Sequence, residues 1–223
     1  MAQIRFPRGL KMSDCLGGGL TGMAYLDETS NTVIKYPHEG DEPAIDYYGP
    51  FDLGIRLEFT SLYYLRQYLQ IGNEIDAKYR LQWSQQITSA LAFGHSMSVI
   101  HGGLTCHNIS LDDKQNAKLF DFGGSSIDGS EPLIVVTASH RWPGNDDKSI
   151  QVDLFALGSA LYEIWTGNPP FHGLSEVEIT TRFKQLEVPQ TQSLGAIGGV
   201  MRGCWQGRFA SADDVLNPLI VFY

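Results

Sequence analysis

The chain is short of basic charge, of cysteine and of long apolar runs. Sixteen Lys and Arg face 25 Asp and Glu, a net charge of −9 over 223 residues. An excess of that sign argues against nucleic acid or an anionic membrane as a partner. Cys15, Cys106 and Cys204 are odd in number and widely spaced, and no Cys-x-x-Cys pair occurs. They read as free thiols of an intracellular protein, cytoplasmic or nuclear. The longest apolar runs, residues 133–136 and 219–223, fall far below the roughly 18 residues of a spanning helix. Residues 1–5 carry no secretory apolar core, and there is no internal repeat or low-complexity linker. What remains is a globular composition, 43% hydrophobic and 18% charged, long enough for one domain or two lobes.

Two regimes follow one another along the chain. Up to about residue 60 the pattern predicts short strands: residues 10–16, 23–26 and 32–36 around a glycine cluster and a polar turn, then a pair at 45–51 and 54–59. From about residue 61 it turns helical. Trp83, Ile87, Leu91 and Gly94 recur at helical spacing, and residues 153–165 are apolar nearly all round, the mark of a buried central helix. Ser175 and Glu178 form a capping box that opens another helix. Leu194, Ile197, Met201 and Cys204 mark the face of a last one. The expected fold class is α+β, with a β-rich lobe at 1–60 and a larger helical lobe at 61–223.

Gly17, Gly19 and Gly22 fit the spacing of a dinucleotide-binding turn, a nucleotide-covering flap or an ordinary glycine-rich loop. Context separates these. A dinucleotide fingerprint needs a helix after the third glycine, and here a strand follows, then a turn, then Val33, Ile34 and Lys35. A glycine flap between strands lets backbone N–H groups approach phosphates, and a lysine on the next strand neutralises them.

Further on, His101-Gly102-Gly103 leads to Asn108, and Asp121-Phe122-Gly123 follows. With these residues in order, almost the whole chain resembles the protein kinase family, nearest to its small single-domain fungal kinase-like members. The resemblance implies a bilobal fold that binds ATP and Mg2+. It assigns Gly17, Gly19, Gly22 and Ala24 to the glycine loop, and Lys35 to the α- and β-phosphates. Residues 57–60 become the hinge, with Glu58 and Thr60 beside adenine, and Asn108 and Asp121 become the metal ligands. Residues 137–143 match the end of the activation segment, residues 153–158 the central helix, and Arg208 a late structural arginine. The donor chemistry agrees, because Mg2+ takes hard oxygen ligands and these two side chains supply a carboxylate and an amide oxygen.

The departures from that family are specific. Gly103 stands where the family carries the aspartate that accepts the substrate hydroxyl's proton, a contribution typically worth about 10²–10⁴-fold. Thr105 replaces a lysine that holds the transferred phosphate. Only residues 36–57 separate Lys35 from Glu58, and Pro37, Gly40 and Pro43 disfavour a helix there. The helix whose glutamate orients the strand lysine is therefore expected to be missing, with Glu39 and Glu42 read as surface acids. Gly144 replaces the partner of Arg208, Ser110 is polar where the adenine floor is apolar, and Phe120 is bulky just before Asp121. His101 and His107 flank Cys106, but one loop offers too few ligands for a metal.

The sequence thus predicts a kinase-like domain with nucleotide motifs and no intact catalytic residue, a pseudokinase acting on a protein partner. The alternative is an active, atypical serine/threonine kinase with a protein substrate. A small-molecule phosphotransferase ranks third and a nicotinamide oxidoreductase fourth.

Overall fold

The computed structural model describes residues 9–19, 22–36, 50–51, 54–58, 60, 64–72, 74–133 and 136–221. The chain divides into two compact units, Met1–Thr60 and Ser61–Tyr223. Strands lead and helices follow, the α+β class expected from the sequence.

The first unit holds one antiparallel sheet of β1 (Cys15–Gly19), β2 (Gly22–Asp27), β3 (Thr32–Tyr36), β4 (Pro50–Phe51) and β5 (Gly54–Glu58), in the order β1-β2-β3-β5-β4. The hydrophobic alternation sets its faces. Tyr25 lies opposite Ile34 in the register, and Tyr25, Ile34 and Tyr36 are buried. Their neighbours Ala24 and Lys35 therefore point to the other face. Arg56 pins the β2–β3 turn to β5. Its Nη1 donates to Asp27 Oδ2 at 2.9 Å, to Thr32 Oγ1 at 2.6 Å and to the Ser30 hydroxyl. Hydrogen bonds from Ser30, and then from Arg56, hold the Asp27 carboxyl below its usual range. The strand expected over residues 10–16 begins only at Cys15. A single helical turn, Met12–Asp14, precedes it, held by Lys11 N–H on the Asp14 carboxylate at 2.9 Å. The expected strand at 45–49, Glu39 and Glu42, and the region of the missing helix lie outside the described residues.

The second unit contains α1 (Leu65–Gln70), α2 (Ala77–Ser96), the short strands β6 (Val99–Ile100), β7 (Ile109–Leu111), β8 (Ala117–Leu119) and β9 (Ser126–Ile127), then α3 (Gln151–Thr166), α4 (Glu176–Lys184), α5 (Gly195–Trp205) and α6 (Ala212–Ile220). β6 pairs with β9 and β7 with β8. Asp76 caps α2 by accepting the Lys78 N–H at 2.8 Å, and its apolar stripe buries Leu81, Trp83, Ile87 and Leu91. In α3 the residues from Val152 to Leu161 are buried without a break, as its all-round apolar sequence requires. α3 meets α5 closely at Gly158, where a Cβ would stand 2.8 Å from Cys204 Cβ. The Ser175–Glu178 box opens α4, with Ser175 N–H on Glu178 Oε2 at 2.9 Å and Glu178 N–H on Ser175 Oγ at 3.3 Å. α5 is not the last helix. Ser211 caps a further one, α6, by accepting the Asp214 N–H at 3.1 Å, and it packs on α2.

Candidate functional site

In the first unit the register lines up three of the expected nucleotide residues. Gly17 lies opposite Ala24, and Ala24 opposite Lys35, whose next neighbour is Ile55. Directly opposed residues share a face of a sheet, so Gly17, Ala24 and Lys35 form one row across β1, β2 and β3. The glycine cluster is not a free loop at its start. Gly17, Gly18 and Gly19 belong to β1, and Gly19 faces Gly22 at the mouth of the hairpin. Glu58 closes β5 opposite Thr32 and is exposed, and Thr60 follows half-buried. Phe59 lies outside the described residues.

In the second unit the loop of residues 101–108 is built around two groups. The first is Asp153, an acid with 0% exposure on the otherwise apolar face of α3. Its Oδ2 accepts the His101 N–H at 2.8 Å, its Oδ1 accepts the Gly102 N–H at 2.8 Å, and His95 Nε2 lies 2.9 Å from Oδ2. The second is the His101 ring. Its Nδ1 accepts the Gly103 N–H at 3.1 Å, which places the ring proton on Nε2, and Nε2 donates to the Phe120 carbonyl at 2.9 Å. With both nitrogens committed, His101 is neither a base nor a metal ligand. Among the described residues no cluster of metal-ligating side chains forms.

Asn108 sits at the end of this loop. Its Nδ2 donates to the Gly103 carbonyl at 2.8 Å, which leaves the amide oxygen as an acceptor. The Asn108 carbonyl accepts the Phe120 N–H at 3.0 Å, and Asp121 follows in the left-handed region at φ +63°. Non-glycine residues held there are uncommon and concentrate where function needs a fixed direction. An amide oxygen and a carboxylate on residues that flank the β7–β8 pair suit a hard divalent cation such as Mg2+. Phe122 packs edge-on against His101 with ring centroids 4.7 Å apart. Gly103 offers this arrangement a carbonyl and no side-chain acceptor.

Beneath the loop lies a buried ion pair. Arg66 grips Glu163 with two bonds, Nε to Oε1 and Nη2 to Oε2 at 2.5 Å, and Glu163 is 1% exposed. Arg66 N–H also donates to the Cys106 carbonyl at 3.0 Å, and Cys106 Sγ lies 3.8 Å from the Ala160 carbonyl. His140 Nε2 lies 3.8 Å from Glu163 Oε2, beyond hydrogen-bond reach, while its Nδ1 meets Ser139 Oγ at 3.0 Å. Burial, then Arg66 and His107, depress His140 to a pKa of about 3. It is a neutral ring beside a carboxylate whose charge Arg66 already balances. Burial, and then Glu163, push the Cys106 thiol well up, so it is not a nucleophile. Arg208 is exposed, and among the described residues it forms no ion pair.

Sequence reasoning missed two groups of the site. Asp153 was read only as part of a central helix; its signal was a carboxylate inside an apolar run. The Tyr64–Phe120 stack, with ring centroids 5.6 Å apart, joins residues too distant in sequence to be paired by inspection.

Comparison with known proteins supplies a context for this geometry. A family model described as "Protein kinase domain" matches residues 48–198; Gly17 and Lys35 precede that span. Serine/threonine-protein kinase PrkC of Bacillus subtilis is 29% identical over 168 residues, covering 72% of this chain and 25% of the relative. Serine/threonine-protein kinase CTR1 of Arabidopsis thaliana is 24% identical over 193 residues, 77% of this chain and 23% of the relative. The human NUAK family SNF1-like kinase 1 is 25% identical over 200 residues, 82% of this chain and 29% of the relative. The chain therefore spans less than a third of the length of these curated relatives.

Proposed function

This chain belongs to the protein kinase family, and from that premise we propose that it is a kinase domain that binds a nucleotide with Mg2+ and is impaired in phosphoryl transfer. The observation that carries the reading is Gly103. The loop around it is complete in its supports, from Asp153, His101 and Asn108, and lacks the carboxylate that the family uses as a proton acceptor. Gly17, Gly19, Gly22, Ala24 and Lys35 would cover and neutralise the phosphates, Glu58 and Thr60 would flank the base, and Asn108 and Asp121 would hold Mg2+. The cation supplies charge neutralisation at the phosphates. The role left to such a chain is engagement of a protein partner. No helix among the described residues is long and apolar enough to cross a membrane.

A second reading is favoured by the Asn108 amide, whose nitrogen is spent on the Gly103 carbonyl and whose oxygen remains as an acceptor. If both metal ligands are sound, positioning and charge alone sustain some transfer, and the chain is an active, atypical serine/threonine kinase. Radiolabel transfer from ATP to a generic basic protein, by the chain itself, by Asp121→Ala and by Gly103→Asp, separates the two. Silence from the chain together with a gain in Gly103→Asp supports impairment. Transfer by the unmodified chain that Asp121→Ala abolishes overturns it.

A further inference from the structure

Phe120 is held at both ends of its backbone. Its N–H donates to the Asn108 carbonyl at 3.0 Å, and its carbonyl accepts from His101 Nε2 at 2.9 Å. The Phe120 backbone is thereby fixed against Asn108, which carries the amide oxygen, and one residue before Asp121, which carries the carboxylate. Against the Phe120 ring lies Tyr64, with ring centroids 5.6 Å apart and planes inclined by only 26°. Tyr64 is fixed in turn by an antiparallel bridge to Ser110, which is 4% exposed. Yet Tyr64 itself is 43% exposed. A large, partly exposed aromatic ring is thus stacked on the residue that precedes Asp121.

We propose that Tyr64, backed by Phe120, is the stacking platform for the base of the bound nucleotide, and so a residue that sets affinity for the base. The inference rests on the reading that Asn108 and Asp121 hold a nucleotide's Mg2+. Three features carry it. A planar π-face accepts any nucleobase by stacking, and such contacts are strong for their size. Ser110, which fixes Tyr64, stands two residues beyond Asn108, a separation of about 7 Å along a strand. That is room for the ribose and first phosphate that part a base from its metal-bearing phosphates. Finally, stacking is tolerant of base identity. The expected ligand class is therefore a nucleoside triphosphate with little preference between adenine and guanine.

The test is calorimetric titration of the chain with MgATP, MgGTP and magnesium tripolyphosphate, repeated on Tyr64→Ala, Tyr64→Leu and Tyr64→Phe, with circular dichroism to confirm folding. The proposal expects ATP and GTP to bind the unmodified chain within a few-fold of each other. It expects Tyr64→Ala and Tyr64→Leu to weaken both roughly 5- to 100-fold, tripolyphosphate binding to stay unchanged, and Tyr64→Phe to retain affinity. Nucleotide binding that is unchanged or tighter in Tyr64→Ala overturns the platform and leaves the nucleotide reading standing. Equal weakening of nucleotide and tripolyphosphate overturns it as well, since the ring would then serve the fold alone. No saturable binding of any triphosphate by the unmodified chain overturns the nucleotide reading, and the platform with it.

Discussion

Asp153 reaches from the first turn of α3 to the Gly102 N–H at 2.8 Å, and Gly102 takes a left-handed backbone at φ +70°. The carboxylate accepts His101 N–H with its other oxygen, so one buried side chain fixes the direction of the loop at the point where it turns toward Gly103 and Asn108.

Asp153→Ala is expected to strand two buried backbone donors and the His95 ring nitrogen. Unsatisfied buried donors cost about 1–3 kcal/mol each, so a loss of roughly 3–5 kcal/mol in unfolding free energy is expected. Urea denaturation measures it. A loss below about 1 kcal/mol would show that water replaces the carboxylate.

Two glycines should respond to alanine for different reasons. At Gly102 an added Cβ meets nothing within 4 Å, so Gly102→Ala carries only the left-handed penalty, about 1–2 kcal/mol, and Gly102→Asn less. At Gly158 the Cβ would stand 2.8 Å from Cys204 Cβ and 3.1 Å from the Met201 carbonyl, which forces α3 and α5 apart. Gly158→Ala should cost about 1–3 kcal/mol through overpacking, and Gly158→Asn more. Thermal melts of the four variants give opposite rankings of Ala and Asn at the two sites.

Breaking the Arg66–Glu163 pair from one side leaves a buried, unbalanced carboxylate. Arg66→Met should therefore cost about 3–5 kcal/mol, and Arg66→Met with Glu163→Leu should recover most of that loss. A double-mutant cycle by chemical denaturation reads both. Removing the guanidinium also removes one of the charges that depress His140, so the His140 pKa should rise in Arg66→Met, which NMR titration follows.

His140 gives the fold a defined pH dependence. Its folded pKa is about 3 against an ordinary 6.5. Between those values the unfolded chain binds a proton that the fold refuses, so this contribution is complete above about pH 6.5 and declines as pH falls toward 3. The slope approaches about 1.4 kcal/mol per pH unit, or roughly 2 kcal/mol lost at pH 5 relative to pH 7. In His140→Gln that component disappears, and the difference between the two pH profiles isolates it. Parallel profiles would refute the assignment.

Much of this was legible beforehand because local rules decide it. The α4 box needs only Ser175 and Glu178, three residues apart. The α2 stripe of Trp83, Ile87 and Leu91 needs only a period. Thr32–Tyr36 emerged with its expected ends because β-branched residues sit between turn signals. The start of β1 was misread because the apolar residues at 10–16 suggest a strand, while Asp14 folds back on Lys11 and spends Met12–Asp14 in a turn. α6 was overlooked because Pro218 interrupts its apolar run, although the Ser211–Asp214 cap was in view. At the candidate site, the resemblance pointed to Asn108 and Asp121 by their place in two short motifs. What holds them was not legible, since Asp153, Arg66 and Tyr64 reach the loop from other elements through folding.

The two carboxylates that govern the loop, Asp153 and Glu163, sit on the same helix, ten residues or about 15 Å apart. One grips residues 101 and 102 directly, and the other anchors Arg66, which holds the Cys106 carbonyl. The loop is thus fastened at both ends to a single rod buried in the middle of the unit. Those ties predict that it does not open independently of the rest of the unit. Its amides at 101, 102 and 103 should exchange with solvent deuterium only when the whole unit unfolds, as slowly as the amides of α3, whatever ligand the protein carries.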